Sequence, residues 1–594
     1  MKKNTPPMGR YTLSIFSLLS ILSVLAYLSY NCAINTSSLS SSLSTTTTVD
    51  IDSDKYPKCP EVERFTPGSY QNQTFKDTLD KIINDESFRN LSVTRMQKAV
   101  QIDTSSYDDF PLDVGSNLEV FENFNIFHNY LQNEFPLFHE NLKLHKVNHF
   151  GLVYIWEGSD PSLQPLLLMA HQDVVPINED SLDQWEFPPF EGHYDGKYLY
   201  GRGTGDCKNL LIGHFEAVEE LIKLNFKPTR SIIFSYGFDE EIIGLRNQNG
   251  KFIEDIFGKK SLYAVMDEGG VSLMDIGETK MAVVGTGEKG YLDLSISIQK
   301  KGGHSSVPQD HTAIGIIGDL IVQIENNKFP TYFTDYNPTF HQYVCLAENS
   351  IDIDQSLKKD ILKSQFDEIS NLNVRNFINK DRLTSYSIKT TQALDVIQGG
   401  VKVNALPEFV ELKINSRVAL EENITIAFKK FLNDTKIIAN KFDLGLNVQF
   451  PYNEEIITLL PSTENGVLTI KPIKTLEPSP ITPINDSKWE IFAGTIRHIY
   501  EELAYPDIYD NNDNNNDNEK NQSKIVVTPG LGTGNTDTKL YWNLTDHIYR
   551  YRPGVLPSVT ANSHGINEYI EFDSHLQIIA FIFQYIQSVD QAND

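Results

Sequence analysis

Three short apolar runs, each ending in acidic or imidazole side chains, constrain this chain more than anything else in it. "PLLLMAHQD" closes on His171 and Asp173, "SIIFSYGFDEE" on Asp239, Glu240 and Glu241, and "LYAVMDEGG" on Asp267. Each run is short, continuous and bounded by breakers, the pattern of a strand buried on both faces. After the first run, "KNLLIGHFEAVEELIKL" returns Leu210, Leu211, Ala217, Val218, Leu221 and Ile222 to one helical face. Strands alternating with helices predict an α/β domain with a mostly parallel central sheet. Such sheets place ligands at the carboxyl ends of their strands, where the His, Asp and Glu residues of all three runs lie.

The stretch "GHYDGKYLYGRGTGDCKN" follows the first run. Asp195-Gly196 reads as a hairpin turn, and Gly201, Gly203 and Gly205 let the returning backbone approach a crowded centre. A phosphate loop would need Ser or Thr after Lys208, where Asn209 stands, and a dinucleotide loop would carry its third glycine one position later than Gly205. Asp206 would repel a phosphate, so it calls for a cation.

The candidate ligands are then His171, Asp206, Glu241 and Asp267, with His564 of "NSHGINEYI" ahead of a final helix. Two imidazoles and three carboxylates suit two zinc ions bridged by one carboxylate, a pair that activates one water and polarises a carbonyl. Singly, each of the 14 histidines reads as packing or solvated, and Glu240-Glu241 as a solvated turn. Joint placement at strand ends sets these five apart, while His193 and His214 read as ordinary surface or packing residues. No H-E-x-x-H or G-x-S-x-G occurs, which removes the zinc-helix and serine-hydrolase layouts.

With 594 residues the chain holds two or more domains, and its net charge of −28 argues against a nucleic-acid partner. Lys2, Lys3 and Arg10 precede an uncharged 20-residue run, Tyr11 to Tyr30, and no further basic residue follows until Lys55. That asymmetry predicts a type II signal anchor, with residues 1–10 cytosolic, 11–30 spanning a membrane and the bulk of the chain lumenal. A cleaved signal peptide is the rival reading; the run is long for one and no A-x-A site follows it. Residues 31–60, rich in Ser and Thr, read as a stalk, and 510–522 as a disordered polar insert. Acceptor sequons stand at Asn35, Asn72, Asn90, Asn423, Asn433, Asn485, Asn521 and Asn543, as in a glycosylated lumenal protein. The four cysteines, Cys32, Cys59, Cys207 and Cys345, are compatible with one disulfide, for instance Cys59 with Cys345, but the sequence assigns no pairing.

"HQD" at 171–173, "GRGTGDCK" at 201–208, "DEE" at 239–241, "MDEGG" at 266–270, "GGHSS" at 302–306 and "SHGINE" at 563–568 together resemble the co-catalytic zinc metallopeptidases that include aminoacylase, carnosinase and glutamate carboxypeptidase. The likeness covers most of the chain beyond about residue 110, with the motifs in family order. Within that family the chain is most similar to the membrane-anchored vacuolar carboxypeptidases that act on Gly-Xaa peptides. The resemblance implies a catalytic domain from 61–289 and 477–594, interrupted by an α+β lid domain at 290–476. It implies that Asp206 bridges two zincs, that His171 and Asp267 complete one and Glu241 and His564 the other. Asp173 would orient His171, Glu240 would be the general base, and His304 of the lid would bind the scissile carbonyl oxygen. Asn404 and Arg417 would hold the substrate's terminal carboxylate. The Asp206-Cys207 bond would be cis, with Cys207 where relatives often carry an acid. Partners would be a short peptide, the membrane and a second copy of the chain through the lid. An N-acyl amino acid amidohydrolase or synthase is the rival activity, and a silent receptor or scaffold the rival class.

Overall fold

The structure is a computed structural model that describes residues 55–242, 244–270, 272–276, 279–506, 524–554 and 562–592. The expected anchor, most of the stalk and the insert at 510–522 lie outside the described residues. Among the described residues no helix is long and apolar enough to cross a membrane.

The three runs form adjacent strands. Leu166–His171 lies between Ile232–Gly237 and Ala264–Asp267, parallel to both. These strands are buried on both faces, as their unbroken apolar character dictates. Among the described residues the sheet has nine strands and is mixed, where a mostly parallel one is expected. Ile548–Arg550 and Val526–Gly532 add parallel neighbours, but Lys143–Val147, Gly151–Trp156, Thr279–Glu288 and Ser272–Ile276 bring antiparallel ones. The first of these comes from a tight hairpin at Asn148 and His149, both at positive φ, which only an antiparallel pair can use.

Helices Lys208–Lys223 and Phe572–Asp590 pack together in the main core. A Cβ on Gly213 would stand 2.7 Å from Ile578 Cγ2, so the glycine permits their close approach. His214 lies in this core against Phe234 and Tyr236, and His193 stacks on Phe187, both packing roles.

A second, six-stranded sheet is drawn entirely from residues 290–476. Its strands alternate as half-buried strands must: Val410, Leu412 and Ile414 turn inward with Leu292, Leu294 and Ile296, beneath helices Ala313–Asn326 and Ile424–Lys441. The helices Pro338–Asn349, Gln355–Lys363 and Glu368–Ile378 build a separate small core around Phe340, Val344, Ile361 and Val374. The first of them lies against strand Val526–Gly532 of the main sheet. Cys345 on that helix is disulfide-bonded to Cys59, which fastens the start of the folded chain to the insert.

Candidate metal centre

His171 is the last residue of its strand, and its ring is fixed from behind. Nδ1 donates to the Asp173 main-chain carbonyl at 2.9 Å, which turns Nε2 toward the sheet's carboxyl edge. There Nε2 meets Asp206 Oδ1 at 3.1 Å and Glu268 Oε1 at 3.1 Å. Asp206 Oδ2 lies 3.3 Å from His564 Nε2, and Glu241 Oε2 lies 3.0 Å from the same nitrogen. The donors therefore fall into two groups that share Asp206: His171, Asp206, Cys207 and Glu268 on one side, Asp206, Glu241 and His564 on the other. Glu240 groups with His171 and Glu241. His564 is the exposed wall of the centre; its side chain is 54 % accessible, against 2 % for His171.

Asp267 is not among these donors. It ends its strand, its carbonyl bonded to Tyr551 N, and its side chain is buried with Oδ2 unpartnered among the described residues. Glu268, one residue further, has left the ladder and takes the place expected for Asp267. Asp173 stands behind His171 Nδ1, where it is expected, and has a further task. Its carboxylate stands 3.4 Å from His171 Nδ1 and chiefly accepts Ser106 Oγ at 2.7 Å and the main-chain N–H groups of Glu240 and Glu241 at 3.2 and 3.1 Å. It thus holds the turn that presents both glutamates.

The donor set fits divalent metal. Burial raises the Glu240, Glu241 and Glu268 carboxyls, Glu241 to about 7, and mutual repulsion adds to it: Glu268 on Glu240, Asp206 on Glu241 and on Glu268. Hydrogen bonds that His564 donates to the Asp206 and Glu241 carboxylates push its imidazole up to about 10. Glu241 Oε1 is buried without a partner among the described residues. Acids crowded so closely around two imidazoles need positive charge among them. Cys207 Sγ lies within the first group but accepts from His171 N at 3.3 Å, burial holds its thiol above the usual range, and the Asp206-Cys207 peptide is cis.

Of the residues expected in a lid, Arg417 reaches from the inserted sheet to Asn535, which follows a strand of the main sheet. Nη1 donates to Asn535 Oδ1 at 2.7 Å, and Asn535 Nδ2 donates to the Lys289 carbonyl at 2.6 Å. His304 and Asn404 lie elsewhere, on the exposed ribbon Gly303–His304 with Ala405–Leu406. His304 Nδ1 accepts from Ser306 Oγ at 2.7 Å, and among the described residues no hydrogen bond or ion pair joins it to the metal donors. Sequence reasoning missed Glu268, Ser106, Asn535 and Glu568, although "MDEGG", "TGNTDTK" and "SHGINE" contain three of them.

A mixed sheet carrying two adjoining groups of metal-ligating side chains at its carboxyl edge, with a second sheet inserted beside it, is the arrangement of a metallopeptidase. The chain belongs to peptidase family M20/M25/M40, whose family model matches residues 167–588. It is 40 % identical over 541 residues to carboxypeptidase S of Saccharomyces cerevisiae, covering 90 % of this chain and 89 % of that one. It is 29 % identical to the N-fatty-acyl-amino acid synthase/hydrolase of Mus musculus, covering 83 % and 87 %. In fold it is similar to the dipeptidase Dug1p of Saccharomyces cerevisiae, with a TM-score of 0.55 at 13 % identity over 88 % of this chain and 99 % of that one.

Proposed function

We propose that the chain is a zinc-dependent carboxypeptidase that releases the C-terminal residue from short Gly-Xaa peptides in a vacuole-like lumen. The 40 % identity to carboxypeptidase S across nine-tenths of both chains carries this reading, beside 29 % to the fatty-acyl enzyme. Two zinc ions, held by His171 and Glu268, by Glu241 and His564, and by Asp206 between them, would supply Lewis acidity to a water and to the scissile carbonyl. Glu240, held by its main-chain N–H on Asp173, takes the water's proton and returns it to the leaving amine. Arg417 pairs with the substrate's free carboxylate.

In this reading His304 reaches the scissile carbonyl from a second copy of the chain. Its exposure supports that arrangement, as do the edge strand Ala393–Gly399, paired on one side among the described residues, and the fully exposed Val401 and Val403 beside it. Exposed sequons at Asn72, Asn90, Asn423, Asn433, Asn485 and Asn543 support a lumenal location.

Two outcomes are expected. First, Gly-Leu blocked at its N-terminus is hydrolysed with a higher kcat/KM than an N-fatty-acyl amino acid, measured by amino acid release. The reverse order makes the amidohydrolase reading correct. Second, a secreted chain beginning at Asp50 is soluble, retains its zinc and its activity, and elutes from a sizing column at the mass of two chains. Zinc loss on this truncation counts against separating anchor from catalytic part.

A further inference from the structure

The glycine loop that resembles an anion cradle is one, and the anion it holds belongs to the protein. Glu568 Oε1 accepts the main-chain N–H of Gly205 at 2.8 Å, Gly203 at 3.1 Å and Asp206 at 3.2 Å. Its other oxygen, Oε2, accepts from Arg202 Nη1 at 2.6 Å, and the Arg202 guanidinium lies over the Trp185 ring. The Glu568 side chain is fully buried and Arg202 nearly so, so this carboxylate has exchanged water for four donors. The backbone repeats the connection: Gly201 N donates to the Glu568 carbonyl at 2.9 Å, and strand Tyr569–Glu571 pairs with Tyr198–Tyr200, Tyr569 opposite Tyr200. Across the Gly205 peptide, the carbonyl accepts from Arg552 Nη1, whose guanidinium also lies 3.5 Å from Glu268.

Two segments 362 residues apart are thereby locked in register. One ends in Asp206, the donor common to both metal groups, and the other carries His564 four residues before Glu568. We propose that Glu568 is a positioning residue, a latch that sets the Asp206 loop and the His564 loop at metal-binding distance before metal arrives. The inference rests on the metal-centre reading and adds to it. A ligand pair held in place by the fold binds without first ordering two loops, and losing a partner behind metal ligands costs about 10- to 100-fold in metal affinity.

The test compares the parent with Glu568→Gln, which keeps size but removes the charge that Arg202 and three N–H groups share. Zinc affinity is measured by competition with a chelator, and hydrogen exchange by mass spectrometry on peptides covering 199–206 and 562–571, with and without zinc. The latch predicts zinc binding about 10- to 100-fold weaker in the variant. It also predicts faster exchange in both peptides together, with the central strands still protected. Parent-like affinity, or release of one peptide without the other, overturns it. If Glu568→Gln does not fold, the parent stripped of metal decides: the latch requires both peptides to stay protected, and opening of 203–206 without zinc refutes it. A parent that binds no zinc while its loops stay protected refutes the metal centre instead, and with it the latch's purpose.

Discussion

Glu240→Gln will keep about two zinc ions per chain and lose about 10²–10⁴ in kcat, the usual range for a lost general base. Its neighbour behaves oppositely: Glu241→Gln loses zinc and activity together, and with them thermal stability, because metal binding and folding are linked. The two residues are chemically alike and adjacent, so only geometry separates them. Glu241 Oε2 faces His564 Nε2 at 3.0 Å within the donor group around Asp206, whereas Glu240 groups with His171 but not with His564. Both main-chain N–H groups rest on Asp173, so either amide variant leaves the turn in place. Elemental analysis of zinc per chain, beside kcat, decides the matter. Metal loss from Glu240→Gln with retention in Glu241→Gln would exchange the two roles. Full metal and full activity in both variants would remove the centre from catalysis.

The parallel heart of the fold was legible because strands buried on both faces have no polar alternation to disguise them. His171 and Glu241 followed from it, since a polar residue at the end of such a run has little else to do. The antiparallel margin of the sheet was not legible, because its first hairpin turns on Asn148, His149 and Phe150, two of them non-glycine residues at positive φ. Asp267 and Glu268 show a finer limit. Sequence locates a strand end to within a residue or two, and here one residue separates a carboxylate buried under the sheet edge from one that faces His171. Glu568 was invisible for another reason. A carboxylate that accepts main-chain N–H groups needs no particular residue opposite it, so nothing in "GRGTGD" names its partner. Glycines that fail every phosphate pattern can still form an anion site, with the anion supplied by a distant part of the same chain.

Arg417→Ala should lower kcat/KM for a peptide acid by about 30- to 1000-fold, the equivalent of roughly 2–4 kcal/mol for a charge-assisted contact. Amidating the substrate's C-terminus should cost the parent as much, and the two losses should not add, because each removes one half of the same pair. The structure supports that assignment through position. Arg417 belongs to the inserted sheet, opposite Tyr291 in register, yet its guanidinium reaches Asn535 of the catalytic domain and lies over the Tyr291 ring. Asn535 is itself tied to the Lys289 carbonyl, where the chain passes from one sheet into the other. One Nη1 bond to a neutral amide leaves the guanidinium's other donors for a carboxylate, and that carboxylate would sit between the two domains. The competing account makes Arg417 a fastener of the lid through Asn535. That account expects Arg417→Ala to weaken acid and amide substrates alike, so the double comparison, four kcat/KM values from two proteins and two substrates, separates recognition from architecture. Equal turnover of acid and amide by the parent would exclude a carboxypeptidase, whatever the arginine does.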